Sequence, residues 1–176
     1  EAGNYTPLAK KNIDTGAGLE RIASVMQNKK SNFETDLLFP IIEHMEKVAG
    51  VKYGAAPETD VSLKVIADHG RSLVVMIADG VLPANEGRGY VLRRILRRAV
   101  RHGRLMGVDK PFLADIVDVV AAIFAEVFPE IGDKRAYIKK VVQMEEDRFG
   151  ATLLQGLDLL NKHIEDLRAA GGKILD

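Results

Sequence analysis

Apolar residues recur along most of this 176-residue chain at intervals of three and four, the spacing that lines one face of an α-helix. Residues 1–11 show no such period. Lys11 to Gly18, KNIDTGAG, reads as a short strand running into a glycine-rich turn. The segment LERIASVMQNKK follows, with Leu19, Ile22, Ala23 and Met26 on one helical face. Ser31 and Glu34 have the S-x-x-E spacing of a capping box, so a new helix is expected near them. Pro40 then implies a kink or a fresh helix start. The amphipathic pattern runs through Val48 and stops at Gly50, and KYGAAPETD reads as a loop.

Val61 to Gly80 predicts a mostly buried helix with Val65, Ile66, Leu73, Met76 and Ile77 as its apolar positions. Gly70 weakens it by about 1 kcal/mol relative to alanine. The turn formers Pro83, Gly87 and Gly89 in VLPANEGRG end that element. A further helix is expected over PFLADIVDVVAAIFAEVF, with Pro111 at its start and Pro129 beyond its end. From Asp133 to about Ala170 one long periodic stretch places Phe149, Leu153, Leu157, Leu160, Ile164 and Leu167 in a stripe that Gly171 and Gly172 end. The stripe suits packing in a bundle better than a coiled-coil arm, because its flanks are not cleanly charged. The fold class is therefore mainly α and bundle-like, with a short strand at the front.

Gly89 to Arg104, GYVLRRILRRAVRHGR, changes this picture. It holds six arginines and one histidine but no acid. At about 100° per residue, Val91, Leu92, Ile95, Leu96, Ala99 and Val100 fall on one half of the helix. Arg93, Arg94, Arg97, Arg98, Arg101 and Arg104 fall on the other. The chain as a whole balances 25 Lys and Arg against 25 Asp and Glu, so the concentration is local. Arg93/Arg97, Arg94/Arg98 and Arg97/Arg101 are like charges at i,i+4, each costing roughly 0.2–0.5 kcal/mol. One explanation is a face whose guanidinium groups pair with acids elsewhere in the fold, the acids of QMEEDR (Gln143 to Arg148) being the best local candidates. The other is a polyanion, which relieves the repulsion and releases counterions. The exclusive use of arginine, whose planar fork matches phosphate oxygens, favours the second.

There are no cysteines, which excludes disulfides, thiol catalysis and cysteine-ligated zinc. His69 has no second ligand at i+3 or i+4 and reads as a packed or hydrogen-bonded residue, so no metal site is expected. His102, at the edge of the arginine face, either touches phosphate or caps the helix end. The start of the chain has no signal-peptide pattern, and apolar runs such as LVVMIA are too short to span a membrane. DTGAGLERI (Asp14 to Ile22) is neither a P-loop nor a dinucleotide fingerprint, although its glycines permit close backbone approach to a ligand.

NIDTGAGLERIASVMQNKKSNFETDLLFPII, followed by VIADHGRSLVVMIADGVLPANEGRGYVLRRILRRAVRHGR, resembles the alanyl-tRNA synthetases in order and over nearly the whole chain. DTGAGLERI is similar to motif 3 of class II aminoacyl-tRNA synthetases, and the remainder to the helical middle domain that receives the tRNA acceptor stem. The resemblance implies that residues 1–30 are the end of an aminoacylation domain and residues 31–176 a truncated tRNA-recognition domain. It implies ATP contacts at Gly18, Glu20 and Arg21, with Arg21 on phosphate. Asp14 would bind the alanine ammonium group and Gly16 would shape a small side-chain pocket. Asn85 matches the asparagine that reads a G·U wobble pair, where an amide offers both a donor and an acceptor to base edges. Arg88 and the six arginines of the helix would hold phosphates of the tRNA(Ala) acceptor stem. Ala17 departs from the family, which usually carries a larger apolar residue there.

The implied parent is a cytoplasmic ligase that uses ATP, Mg2+ and alanine. Its zinc ligands belong to an editing domain absent from these residues. Motifs 1 and 2 are also absent, which implies that this piece alone does not activate alanine. Two further readings remain: an RNA-binding module or non-catalytic synthetase-like relative, and a helical structural domain whose arginines are paired internally.

Overall fold

The computed structural model describes residues 6–13 and 15–169. Asp14 and the expected Gly171–Gly172 helix stop lie outside them. The described residues form seven α-helices and one 3-10 turn: α1 (Leu19–Met26), α2 (Phe39–Ala49), α3 (Pro57–Ala78), α4 (Gly87–Leu105), α5 (Leu113–Phe124), α6 (Pro129–Asp133) and α7 (Arg135–Ala169), with the turn at Asn32–Glu34. There is no strand among them, so the strand expected within Lys11 to Gly18 is not seen in the described part of that segment. A strand is held by a neighbour's backbone ladder, and no described residue supplies one.

The capping-box expectation at Ser31 resolves into something smaller than a helix. Ser31 Oγ accepts from Phe33 N at 3.3 Å, while the Glu34 carboxylate accepts from Lys30 N, one residue before the position a full box requires. The result is the 3-10 turn, and α2 starts afresh with Pro40 in its first turn. Gly50, at φ +67°, ends α2 in the left-handed conformation that glycine adopts without strain. The predicted loop before α3 is shorter than expected, because Pro57 takes up the first turn of that helix.

α3 is the centre of the bundle, packed against α2, α4 and α5. Its Leu63, Ile66, Leu73 and Ile77 meet Ile41, Ile42 and Met45 of α2, Leu92 and Leu96 of α4, and Leu113 and Ile116 of α5 in one fully buried core. Each such side chain contributes roughly 1.5–3 kcal/mol on burial. Gly70 is not a weakness here. A Cβ at that position would stand 2.8 Å from Ile116 Cγ2, so the missing side chain is what lets α3 and α5 approach. Lys134 closes the other end of α3 by donating from Nζ to the Ala78 carbonyl at 2.7 Å.

α7 behaves differently along its length. Ile138 and Val142 are in the core and Phe149 packs against it. Beyond that the predicted stripe leaves the bundle: Leu157 and Leu160 are 46% and 45% exposed, and Leu153, Ile164 and Leu167 are only half-buried. The bundle expectation therefore holds for the first half of the helix and fails for the second, which contributes no buried residue. α1 likewise forms as predicted but has no buried residue, and Leu19, Ile22 and Met26 of its apolar face are exposed. It joins the bundle through polar contacts. The Gln27 and Asp36 groups exchange two hydrogen bonds, and Arg71 of α3 reaches Glu20 at 2.5 Å.

Candidate nucleic-acid interface

α4 forms as the sequence predicts, but its arginines do not act as one face. Leu92, Leu96, Ala99, Val100 and Gly103 are its buried positions, so the helix turns its arginine half partly toward α7. The residues nearest the buried arc, Arg93, Arg97 and Arg104, form an inner row. Arg97 donates from Nε (3.1 Å) and Nη2 (2.9 Å) to Glu145 Oε1. Arg93 Nε stands 3.0 Å from the same oxygen. The Glu145 side chain is 4% exposed and serves as shared counter-ion for both arginines. The Arg97 guanidinium also lies 5.1 Å from the centroid of the Phe149 ring. Arg104 pairs with Asp109 at 2.8 Å. Internal pairing, one of the two explanations for the charge, is thus correct for these three.

The outer row is Arg94, Arg98 and Arg101. All three are exposed and make no ion pair among the described residues. Arg94 lies over the Tyr90 ring, 5.7 Å from its centroid. Asn85 and Arg88 are exposed at the same end of the helix, in and just after the loop that leads into it. That loop is pinned by Gly89, where a Cβ would fall 2.3 Å from the Leu82 carbonyl oxygen and 2.6 Å from the Ala84 Cβ. The Asn85 Oδ1 accepts a hydrogen bond from Arg93 Nη1. One asparagine, two inner arginines and one buried carboxylate therefore form a connected set that runs from the core to the surface.

His69 and His102 are both engaged inside the fold. His69 Nδ1 is 2.9 Å from Asp68 Oδ2, as a hydrogen-bonded histidine should be, and that bond is the main reason the Asp68 carboxyl titrates below its ordinary value. His102 Nδ1 is 3.1 Å from Ser62 Oγ on α3. Burial first, and then Arg98 and Arg101, push the His102 pKa down, so at pH 7 it adds no charge to the outer row. Its Nδ1 is thus taken up by α3 rather than by the end of its own helix.

The motif at the front is only partly assembled. Gly16, Ala17 and Gly18 are exposed, and Arg21 is exposed with its side-chain carbons folded beside Gly18. Glu20 is bound to Arg71. Its own backbone amide and then Arg71 hold its carboxyl below the usual range. Arg71 was not singled out by the sequence, and nothing in the local pattern marks it. Glu145 is among the acids of Gln143 to Arg148 that the sequence offered as partners for the arginines. It follows Ile138 and Val142 at seven and three residues, so an acid sits on a buried stripe, and such an acid needs a cation.

Comparison with known proteins bears on the chain as a whole. The chain is 54% identical to the alanine–tRNA ligase of Halalkalibacterium halodurans over 173 residues, which is 98% of this chain and 20% of that protein. It is 52% identical to that of Natranaerobius thermophilus over 176 residues, and 54% identical to that of Fusobacterium nucleatum over 176 residues. In both cases all of this chain is covered, so it spans about 20% of the length of the curated relatives it matches. Residues 1–176 match the family described as tRNA synthetases class II (A), and the chain belongs to that family.

Proposed function

We propose that this chain is the part of an alanine–tRNA ligase that ends the aminoacylation domain (residues 1–30) and receives the tRNA acceptor stem (residues 31–176). In the parent reaction an alanine carboxylate oxygen attacks the α-phosphorus of ATP and pyrophosphate leaves. A terminal ribose hydroxyl of tRNA(Ala) then attacks the alanyl carbonyl and AMP leaves. On this reading Arg21, Gly18 and Glu20 meet ATP, Asp14 and Gly16 meet alanine, and the enzyme works in the cytoplasm, where tRNA is charged. Mg2+ accompanies the ATP phosphates. The described residues contain no group of three or more His, Asp or Glu side chains that could hold a metal ion, so no step is assigned to Mg2+ through this chain.

One observation carries the tRNA role: Arg94, Arg98 and Arg101 form an exposed row without carboxylate partners among the described residues, next to Asn85 and Arg88. Phosphate contacts of this kind orient an RNA without specifying its sequence. Arg97 and Arg93 are assigned a structural task instead, because Glu145 already occupies them.

The test is a titration of the chain with an acceptor-stem RNA hairpin at several salt concentrations. Arg98→Ala and Arg101→Ala should each lower the slope of log K against log salt by about 0.7–0.9. Arg97→Ala should leave it nearly unchanged. Binding that is independent of salt, or a slope that falls for Arg97 and not for Arg98 and Arg101, rules out the assignment.

A further inference from the structure

Alone among the described helices, α1 buries no residue. Leu19, Ile22 and Met26 stay exposed, so apolar packing does not fix α1 against the bundle. Two polar tethers do, one at each end. Gln27, just past the last turn, exchanges hydrogen bonds with Asp36, close by in the chain. Glu20, in the first turn, meets Arg71 of α3 at 2.5 Å, 51 positions away. The tethers stand about 10 Å apart along the helix axis. Arg71 holds the end that carries Gly18 and Arg21.

The pair is also a matter of charge. The Arg71 and Glu20 side chains are 19% and 27% exposed, so solvent screens them less than an ordinary surface pair. Asp68, one turn earlier on α3, bonds to His69, which leaves Glu20 as the carboxylate that engages Arg71 among the described residues. Arg21 is exposed and makes no ion pair among them. A carboxylate one residue from a phosphate-binding guanidinium would offset its charge and repel the phosphates. Arg71 supplies the counter-charge.

We propose that Arg71 is a positioning residue for ATP: by pairing with Glu20 it pins the first turn of α1 to the bundle and neutralises the Glu20 carboxylate, so that Arg21 meets the phosphates in place and at full charge. This rests on the reading of Gly18, Glu20 and Arg21 as ATP contacts and adds a residue from outside that motif.

The test uses the full-length ligase that carries this segment, read by ATP–pyrophosphate exchange and by calorimetric titration with ATP. Arg71→Met should raise the KM and the Kd for ATP by roughly tenfold, the weight of one charge-assisted hydrogen bond. The kcat and the KM for alanine should stay within about twofold, which general loss of structure would not spare. Glu20→Gln breaks the same pair from the helix that buries nothing, where no core is at risk, and should weaken ATP by a similar factor. The double variant should be no weaker than the worse single one, because both remove one interaction.

Unchanged ATP affinity in Arg71→Met and Glu20→Gln overturns the inference. So do effects that multiply in the double variant, or a kcat and alanine KM that deteriorate together with ATP binding. Arg21→Ala separates the two levels. If it weakens ATP while Arg71→Met does not, this inference alone falls. If Arg21→Ala leaves ATP binding intact, the ATP reading of the motif falls with it.

Discussion

Glu145 and Glu146 are neighbours, and both are almost fully buried, yet they meet opposite surroundings. Glu145 faces Arg93 and Arg97. Glu146 faces backbone: its two oxygens accept from Phe112 N at 3.0 Å and Leu113 N at 3.1 Å, capping the start of α5 from another helix. Removing Glu145 leaves two guanidinium groups without their counter-ion. Glu145→Ala should therefore lower unfolding free energy by about 3 kcal/mol, as for other broken buried pairs, measured by urea denaturation. Burial pushes the Glu146 carboxyl up from 4.5 to about 7, against the pull of its two amide donors. Between those pH values the unfolded chain is ionised at this residue and the folded chain still holds the proton. Stability from this group is full below about 4.5 and falls as pH rises toward 7. At about 1.4 kcal/mol per pH unit, the loss amounts to about 3 kcal/mol. Thermal unfolding of wild type and Glu146→Gln across this range should give a difference that changes with pH in that direction.

Among the elements, the contact between α3 and α5 sets two effects against each other at Gly70. Alanine would raise helix propensity by about 1 kcal/mol. Its Cβ would also stand 2.8 Å from Ile116 Cγ2, and overpacking of this kind costs about 1–3 kcal/mol. The clash is with a buried core side chain, so Gly70→Ala should be net destabilising by about 1 kcal/mol. A paired Gly70→Ala, Ile116→Val variant should recover part of that loss. The sequence marked Gly70 only as a weak point because the neighbour that explains it lies 46 positions later. The same limit governs the rest. Helix periodicity located α2 to α5 and α7, since it is a local signal. The pairing of Arg93 and Arg97 was legible as far as the segment Gln143 to Arg148, but not which acid or which arginines, because Glu145 comes from α7. The strand expected within Lys11 to Gly18 is not seen among the described residues, since a strand is a property of two segments and the pattern describes one. The polar contacts at Asn85 involve a side chain eight residues ahead on the next helix, which no spacing rule foretold.

At the scale of the whole molecule, stability is unevenly distributed. The core is shared by α2 to α7, but α7 beyond Phe149 contributes no buried residue, and Leu154, Leu157 and Leu160 stay in contact with solvent. Hydrogen exchange should therefore separate the two halves of this helix. Amides of residues 155–169 should exchange through local fraying, and those of residues 138–146 only at rates near those of α3. Equal protection along the whole helix would contradict this. Charge is distributed unevenly as well, although its sum is zero. A chain without net charge exerts little pull on a distant polyanion, and at physiological salt fields fade within about 8 Å. On the proposed acceptor-stem reading, the outer arginine row of this chain would act after contact rather than before it, lengthening those encounters in which the stem already lies along α4, so that selection would act on residence and not on capture.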